Sequence, residues 1–373
     1  MIITFSGFGL TPVQARAEVR PTLDCALRNA PFSTKLPLID LMLDARSKAV
    51  VERQLPGMLT KMPAMMLDTR TPSFAAIITL KQMLDMGGTK TIDVTGLLAA
   101  IDAKLAKIPV TAADRAARCA RYDDGRPELA IPPGHPRLLL FEKINGFKDT
   151  PSVNAAHAAF LDMAKAHGWS ITTTDKGGAF TPARLRRFDA VIWNNISGDV
   201  LTLSERATFK SWIEHGGAYI GIHGSGGDPV WFWDWYVDTL LGARFIGHPY
   251  PKQFQEARVT IDDSASPIAA GLPHDWTLTE EWYSFKNNPR DTGAHIIATL
   301  DENMYEPAEF GKDIRMGKDH PIVWTRCVGQ GRMFYSAIGH RPEMYTDPRY
   351  VTMLTNAVLW ATGISGHKEC AGQ

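Results

Sequence analysis

Cysteine is scarce in this chain: Cys25, Cys119, Cys327 and Cys370 are the only four in 373 residues, and they lie far apart. No C-x-x-C pair exists among them, which argues against a zinc ribbon or a thioredoxin-like motif. An excess of charge of one sign is also missing. Lysine plus arginine equals aspartate plus glutamate at 40 each, without a block of like charge, so nucleic acid is not an expected partner. No run reaches the roughly 20 apolar residues that a membrane span needs, and the mature chain is expected to be soluble, without membrane insertion. A neutral or small polar ligand fits this balance. No nucleotide cofactor is expected, and a homo-oligomer stays open.

A chain of 373 residues exceeds the usual single domain, so a large domain with an appended module is the first expectation. Residues 1–17 are apolar at the start, lack a basic region, and reach Ala15-Arg16-Ala17, which satisfies the small-x-small rule for cleavage. They read as a truncated export signal, giving a periplasmic or secreted protein; a frayed N-terminus on a cytoplasmic protein is the alternative. In an exported chain Cys25 and Cys119 could tie the N-terminal module to itself, though sequence does not fix the pairing.

Residues 18–126 read as short helices between turns. Leu97, Leu98, Ile101 and Leu105 recur at helical spacing, and Thr111-x-x-Asp114 opens a further helix carrying Cys119. Polar residues able to do chemistry are sparse there, which favours a helical cap or interaction module. A proline-rich linker, 127–136, marks a boundary.

The next segment, 137–363, changes character, and 364–373 is a tail. Residues 137–142 form a continuous apolar run suited to a central parallel strand. A helix with Pro151 in its first turn follows and ends at Gly168. Strands at 169–174 and 189–193 alternate with helices, and a capping box, Thr202-x-x-Glu205, opens a helix that stops at Gly216-Gly217. The fourth strand then runs into Gly221-Ile222-His223-Gly224-Ser225-Gly226-Gly227, with glycines where a side chain would block the turn. Strands interleaved with helices imply an α/β fold with a doubly wound parallel sheet, because parallel strands need crossover connections. Residues 258–261 and 276–279 read as strands of an insertion. The sheet resumes at 321–325 and 332–338, and a helix from about Pro348 to Trp360 closes the domain.

Lys143 to Phe147, Gly221-Ile222-His223-Gly224, Ser266-Pro267 to Gly271-Leu272-Pro273, Glu281-x-Tyr283, His320-Pro321, Gly329-Gln330-Gly331-Arg332 and Gly339-His340 together resemble the ThuA-like (trehalose utilisation) family over roughly residues 137–363. The resemblance implies a flavodoxin-like, class I glutamine amidotransferase-like fold and a link to disaccharide or keto-sugar catabolism. Amidotransferases place a cysteine at the elbow, as G-x-C-x-G; His223 stands at that place here, so glutaminase chemistry by a thioester is not expected.

The carboxyl ends of the strands are where such sheets bind ligands, which makes His223, His340, Glu281, Lys143, Asn145 and Asn194 candidates for one pocket. Two or three imidazoles with a carboxylate suit Zn²⁺ or a similar divalent ion, with His223, His248 and His340 as ligands. The metal-free version gives His223 or His340 the proton-carrier role with Glu281 as partner. The bland version has each histidine donating to a nearby carbonyl. Ser225 falls one residue short of a hydrolase elbow and is a candidate for substrate contact, as is Tyr283. Residues 231–236 hold five aromatics in six positions, and at least one of Trp231, Trp233 and Trp235 is expected in the pocket wall as a sugar platform. The resulting expectation is a sugar-acting enzyme using hydrolysis or lyase/isomerase-type proton transfer; a non-catalytic sugar-binding or scaffold domain is the alternative.

Overall fold

The computed structural model describes residues 23–86, 93–230, 233–364 and 370. The export segment expected at 1–17 and Trp231 lie outside the described residues. The N-terminal part contains α1 (Leu38–Met42), α2 (Ala45–Gln54), α3 (Met58–Lys61), α4 (Leu80–Met86), α5 (Val94–Leu105) and α6 (Ala112–Cys119). Both reciprocal bonds of the Thr111/Asp114 capping box form at the start of α6. Leu38, Leu41, Ile78, Leu80, Ile101 and Leu105 build a separate small core, and a Cys25–Cys119 disulfide closes the module.

Residues 127–136 do more than connect. Carbonyls of Ala130 and Pro132 accept from Thr172 Oγ1 and Ser170 Oγ at 2.8 and 2.6 Å, so the segment straps the edge strand of the sheet, where an open ladder would otherwise face solvent.

The α/β part begins with β1 (Arg137–Phe141), α7 (Thr150–His167), β2 (Ser170–Thr174), α8 (Pro182–Leu185), β3 (Ala190–Asn194), α9 (Leu203–Glu214) and β4 (Ala218–Ile222). Pro151 sits in the first turn of α7, and Gly168 ends it in a left-handed conformation at φ 69°. The Thr202/Glu205 box caps α9. The later strands are β5 (Phe245–Gly247), β6 (Phe254–Ile261), β7 (Asp275–Glu281), β8 (Ser284–Phe285), β9 (His295–Leu300), β10 (Ala308–Glu309), β11 (Lys312–Asp313), β12 (Pro321–Val328) and β13 (Gly331–Ser336), followed by α10 (Pro348–Ala361).

Nine strands form one sheet in the order β2-β1-β3-β4-β13-β12-β9-β6-β7. The first five are parallel, and the last four continue the sheet antiparallel. The strands read as an insertion, β6 and β7, are therefore the far edge of the main sheet. Their link to it is β9, a strand that the sequence reading passed over. A second disulfide, Cys327–Cys370, fastens the tail to β12. Among the described residues no helix is long and apolar enough to cross a membrane.

The helical module meets the sheet at the loop after β1. Asn145 Nδ2 donates to the carbonyls of Arg121 and Asp199 at 3.1 and 2.6 Å, and Tyr122 donates to Asp199 at 2.7 Å.

Candidate functional site

The end of β4 delivers His223 through an unusual backbone. His223 itself adopts φ 38°, a left-handed conformation that L-residues avoid, while no glycine from Gly221 to Gly227 has positive φ. The glycines serve a different need from the turn expected of them. A Cβ on Gly226 would stand 2.4 Å from the Tyr335 ring, and one on Gly227 2.5 Å from Tyr283. Both rings press on the loop: Tyr335 donates to the His223 carbonyl at 2.8 Å, and Tyr283 stacks on the His223 imidazole with centroids 4.2 Å apart.

His223 Nδ1 lies 2.7 Å from the Ala337 carbonyl. A carbonyl only accepts, so Nδ1 carries the proton and Nε2 keeps its lone pair. That lone pair faces Glu281 Oε2 and His340 Nδ1, each at 3.1 Å, and His340 Nδ1 is 3.0 Å from the same carboxylate oxygen. The outer nitrogen of His340 is 3.4 Å from Asp149 Oδ2, and the other oxygen of Glu281 accepts from Gln253 Nε2 at 2.6 Å. Three electron-rich atoms thus converge from β4, the end of β7 and the turn after β13, all within 4.8 Å of one another, while the outward atoms have partners of their own.

A hydrogen on His340 Nδ1, or a cation, would satisfy the acceptors that face one another here. The protonation tendencies agree. Burial holds His223 below its usual range, only partly countered by Glu281. Burial opposes ionisation of Glu281, but the surrounding imidazoles, with His340 as the donor, overcome it and hold the carboxyl well below the usual range. Burial also opposes the charged form of His340, yet Glu281, with Asp149 behind it, raises it. Without a cation, a hydrogen on His340 faces both Glu281 Oε2 and His223 Nε2; with one, the same three atoms would be a two-histidine, one-carboxylate ligand set whose outer atoms are already oriented, as metal-binding histidines require.

Several further residues set this geometry. Glu280, fully buried, accepts from the backbone N–H groups of Glu281, Gly339 and Arg341 at 2.9, 3.1 and 3.1 Å, fixing the turn that carries His340. His320 Nε2 donates to the Tyr283 carbonyl at 2.8 Å, with its Nδ1 2.7 Å from Glu302. Asp149, Gln253, Glu280 and Glu302 escaped the sequence reading. Asp149 stands in sequence as an ordinary helix N-cap; its side chain caps no backbone group and is turned toward Ser152 and His340 instead.

The remaining candidates take other places. His248 reaches Glu281 Oε1 at 3.3 Å and stays outside the three-atom cluster. Lys143 pairs with Asp123. Asn194 donates to Glu142 Oε1 and to the Val153 carbonyl at 2.8 and 2.9 Å, and Asn145 holds the helical module. Ser225 Oγ donates to the Trp193 carbonyl at 2.9 Å and accepts from Ile196 N at 3.1 Å. Trp233 packs near Phe209, centroids 6.3 Å apart, under the Arg206 guanidinium. A cavity of ≈ 770 Å³ opens at the other end of the strands beside Trp212, His215 and Arg332; His215 Nδ1 is tied there to the Ser211 carbonyl at 2.7 Å, and no comparable cluster lines it.

The five parallel strands in the order 2-1-3-4-13 are those of a flavodoxin-like sheet, and a histidine–glutamate centre lies at the carboxyl end of β4. The class is thus an α/β protein of amidotransferase-like topology without a cysteine at the elbow. The chain belongs to the ThuA family, described as trehalose utilisation, whose model matches residues 137–361. A ThuA-like protein from Bacteroides uniformis has a similar structure at 23% identity and TM-score 0.53, covering 64% of this chain and 95% of its own. Another from Parabacteroides merdae is 14% identical with TM-score 0.46, covering 61% and 89%. No curated protein matches the chain.

Proposed function

We propose that this protein is an enzyme of carbohydrate catabolism that acts on a sugar or keto-disaccharide, by hydrolysis or by lyase/isomerase-type proton transfer, with a divalent ion such as Zn²⁺ held by His223, Glu281 and His340. One observation carries the reading: His223 Nε2, Glu281 Oε2 and His340 Nδ1, from distant parts of the chain, meet within 3.1 Å of their neighbours. Bound there, the ion would polarise a sugar carbonyl or make a water acidic enough to attack near neutral pH. His223 is held as a ligand by Ala337 and Tyr283. His340, the member with most access to solvent, has Asp149 behind it to accept or return a proton. The phenol of Tyr283, beside His223, would contact the substrate. The family description supports the sugar; the histidine at the elbow argues against thioester chemistry.

The two disulfides support a periplasmic or secreted location, since such bonds persist in oxidising compartments. The enzymatic reading is tested by incubating the zinc-loaded protein with disaccharides and their 3-keto forms and following product by chromatography. Turnover lost in a folded His223→Ala variant supports it. Ligand affinity without any product would make the domain a sugar binder instead.

A further inference from the structure

We propose that the exposed aromatic rings beside the His223–Glu281–His340 cluster form a two-ring carbohydrate subsite. Phe254 is the platform for the pyranose next to the cluster, and the Tyr250–Phe310 pair is the wall for a second ring. The inference rests on the sugar reading above and adds where the ligand lies.

Phe254 opens β6 directly opposite Glu281 in the β6–β7 register. Its ring centroid is 5.2 Å from that of His340, and the Arg341 guanidinium is 5.9 Å from it, yet 44% of the residue is open to solvent. The loop leading to it also supplies His248 and Gln253 to Glu281. Tyr250 sits in that same loop, its ring 4.9 Å from Phe310, with the two residues 42% and 46% exposed. Phe310 is presented at the tip of the β10–β11 hairpin with φ 48°, and its N–H donates to the Tyr250 carbonyl at 3.0 Å.

Acidic groups lie near the same loop and histidines. Glu309 accepts the His248 N–H and packs so close to Gly247 that a Cβ there would stand 2.8 Å from its oxygen; Asp149 flanks His340. The three rings are left open to solvent beside the cluster instead of joining the core, and that exposure is assigned to a ligand. Flat rings interleaved with carboxylates and a guanidinium match a pyranose, which offers an apolar C–H face and a rim of hydroxyls that bond to such groups. Trp233, one of the tryptophans expected in the pocket wall, packs near α9 instead.

The test is titration calorimetry of the zinc-loaded full chain with methyl α-glucoside, a one-ring probe, and trehalose, a two-ring probe. Phe254→Ala should weaken both by about tenfold or more, with Phe254→Tyr restoring them. Phe310→Ala should weaken trehalose about fivefold and leave methyl α-glucoside within about twofold. Unchanged zinc content and melting temperature verify folding, and Phe254→Leu replaces the alanine variant should that one unfold. Variants that bind both probes like the wild type overturn the subsite and leave the sugar reading standing; equal loss of both probes in Phe310→Ala overturns the division into two rings. A wild type that binds neither probe nor their 3-keto forms overturns both proposals.

Discussion

The two halves of the sheet's carboxyl edge begin with similar material and end differently. Around β1 and β3, polar residues at the strand ends find complementary partners within the chain: Asn194 donates to a carboxylate and a carbonyl, Asn145 to two carbonyls, Lys143 to Asp123. Around β4, β7 and β13 the polar atoms face one another with the same sign of partial charge, as His223 Nε2, Glu281 Oε2 and His340 Nδ1 do. Donors matched to acceptors hold a fold together. Acceptors facing acceptors are satisfied by a shared hydrogen or by a cation, which is the basis for proposing a site here.

Substitutions should separate these halves by the quantity they disturb. The largest loss is expected for His223→Ala or Glu281→Gln, with turnover falling about 10³-fold or more in steady-state assays while circular dichroism reports an intact fold. Glu280→Ala should come next. It leaves the N–H groups of Glu281, Gly339 and Arg341 without their buried acceptor, costing about 3 kcal/mol or more in denaturant melts, and displacing His340 should lower turnover about 10²-fold.

Asp228, outside the three-atom cluster, gives a separate pH signature. Burial pushes its carboxyl from 3.8 to about 7, while Ser197 Oγ lies 2.6 Å from one of its oxygens. A group raised on folding favours the native state in its protonated form, so its contribution is complete below about pH 4 and is lost as pH rises through 7. Asp228→Asn, which mimics the neutral acid, should therefore flatten the decline in stability between pH 4 and pH 8 by about 3 kcal/mol in urea melts. On the β3 side, Asn194→Ala should cost about 2 kcal/mol of stability with turnover nearly preserved. Ser225→Ala should be the mildest, about 1 kcal/mol with turnover within about twofold. A collapse of turnover there would make Ser225 part of the chemistry and erase the contrast between the halves.

Much of this fold was legible because it depends on local signals. The capping boxes at Thr111 and Thr202, Pro151 in its first turn and the apolar run of 138–141 each state an element within a few residues. The antiparallel extension was less legible: β9 is short, with Ile296, Ile297 and Ala298 all buried, so it lacks the alternation that announces a half-exposed strand. In the site, His223, Glu281 and His340 could be nominated because each borders a glycine or aromatic motif. Lys143, Asn145 and Asn194 carried equally good credentials. Only three-dimensional pairing distinguishes an asparagine that clamps a helix from one that faces a ligand. The supporting residues Asp149, Gln253 and Glu280 have no local pattern at all, because their partners lie 191, 28 and 59 positions away.

The central claim is that this cluster is built around a cation. Elemental analysis by plasma mass spectrometry, on protein purified without chelator and then dialysed against zinc, tests it most directly. The account predicts about one tightly held divalent ion per wild-type chain and almost none in Glu281→Gln. A wild type that emerges empty, or a Glu281→Gln variant that keeps its ion, would contradict it.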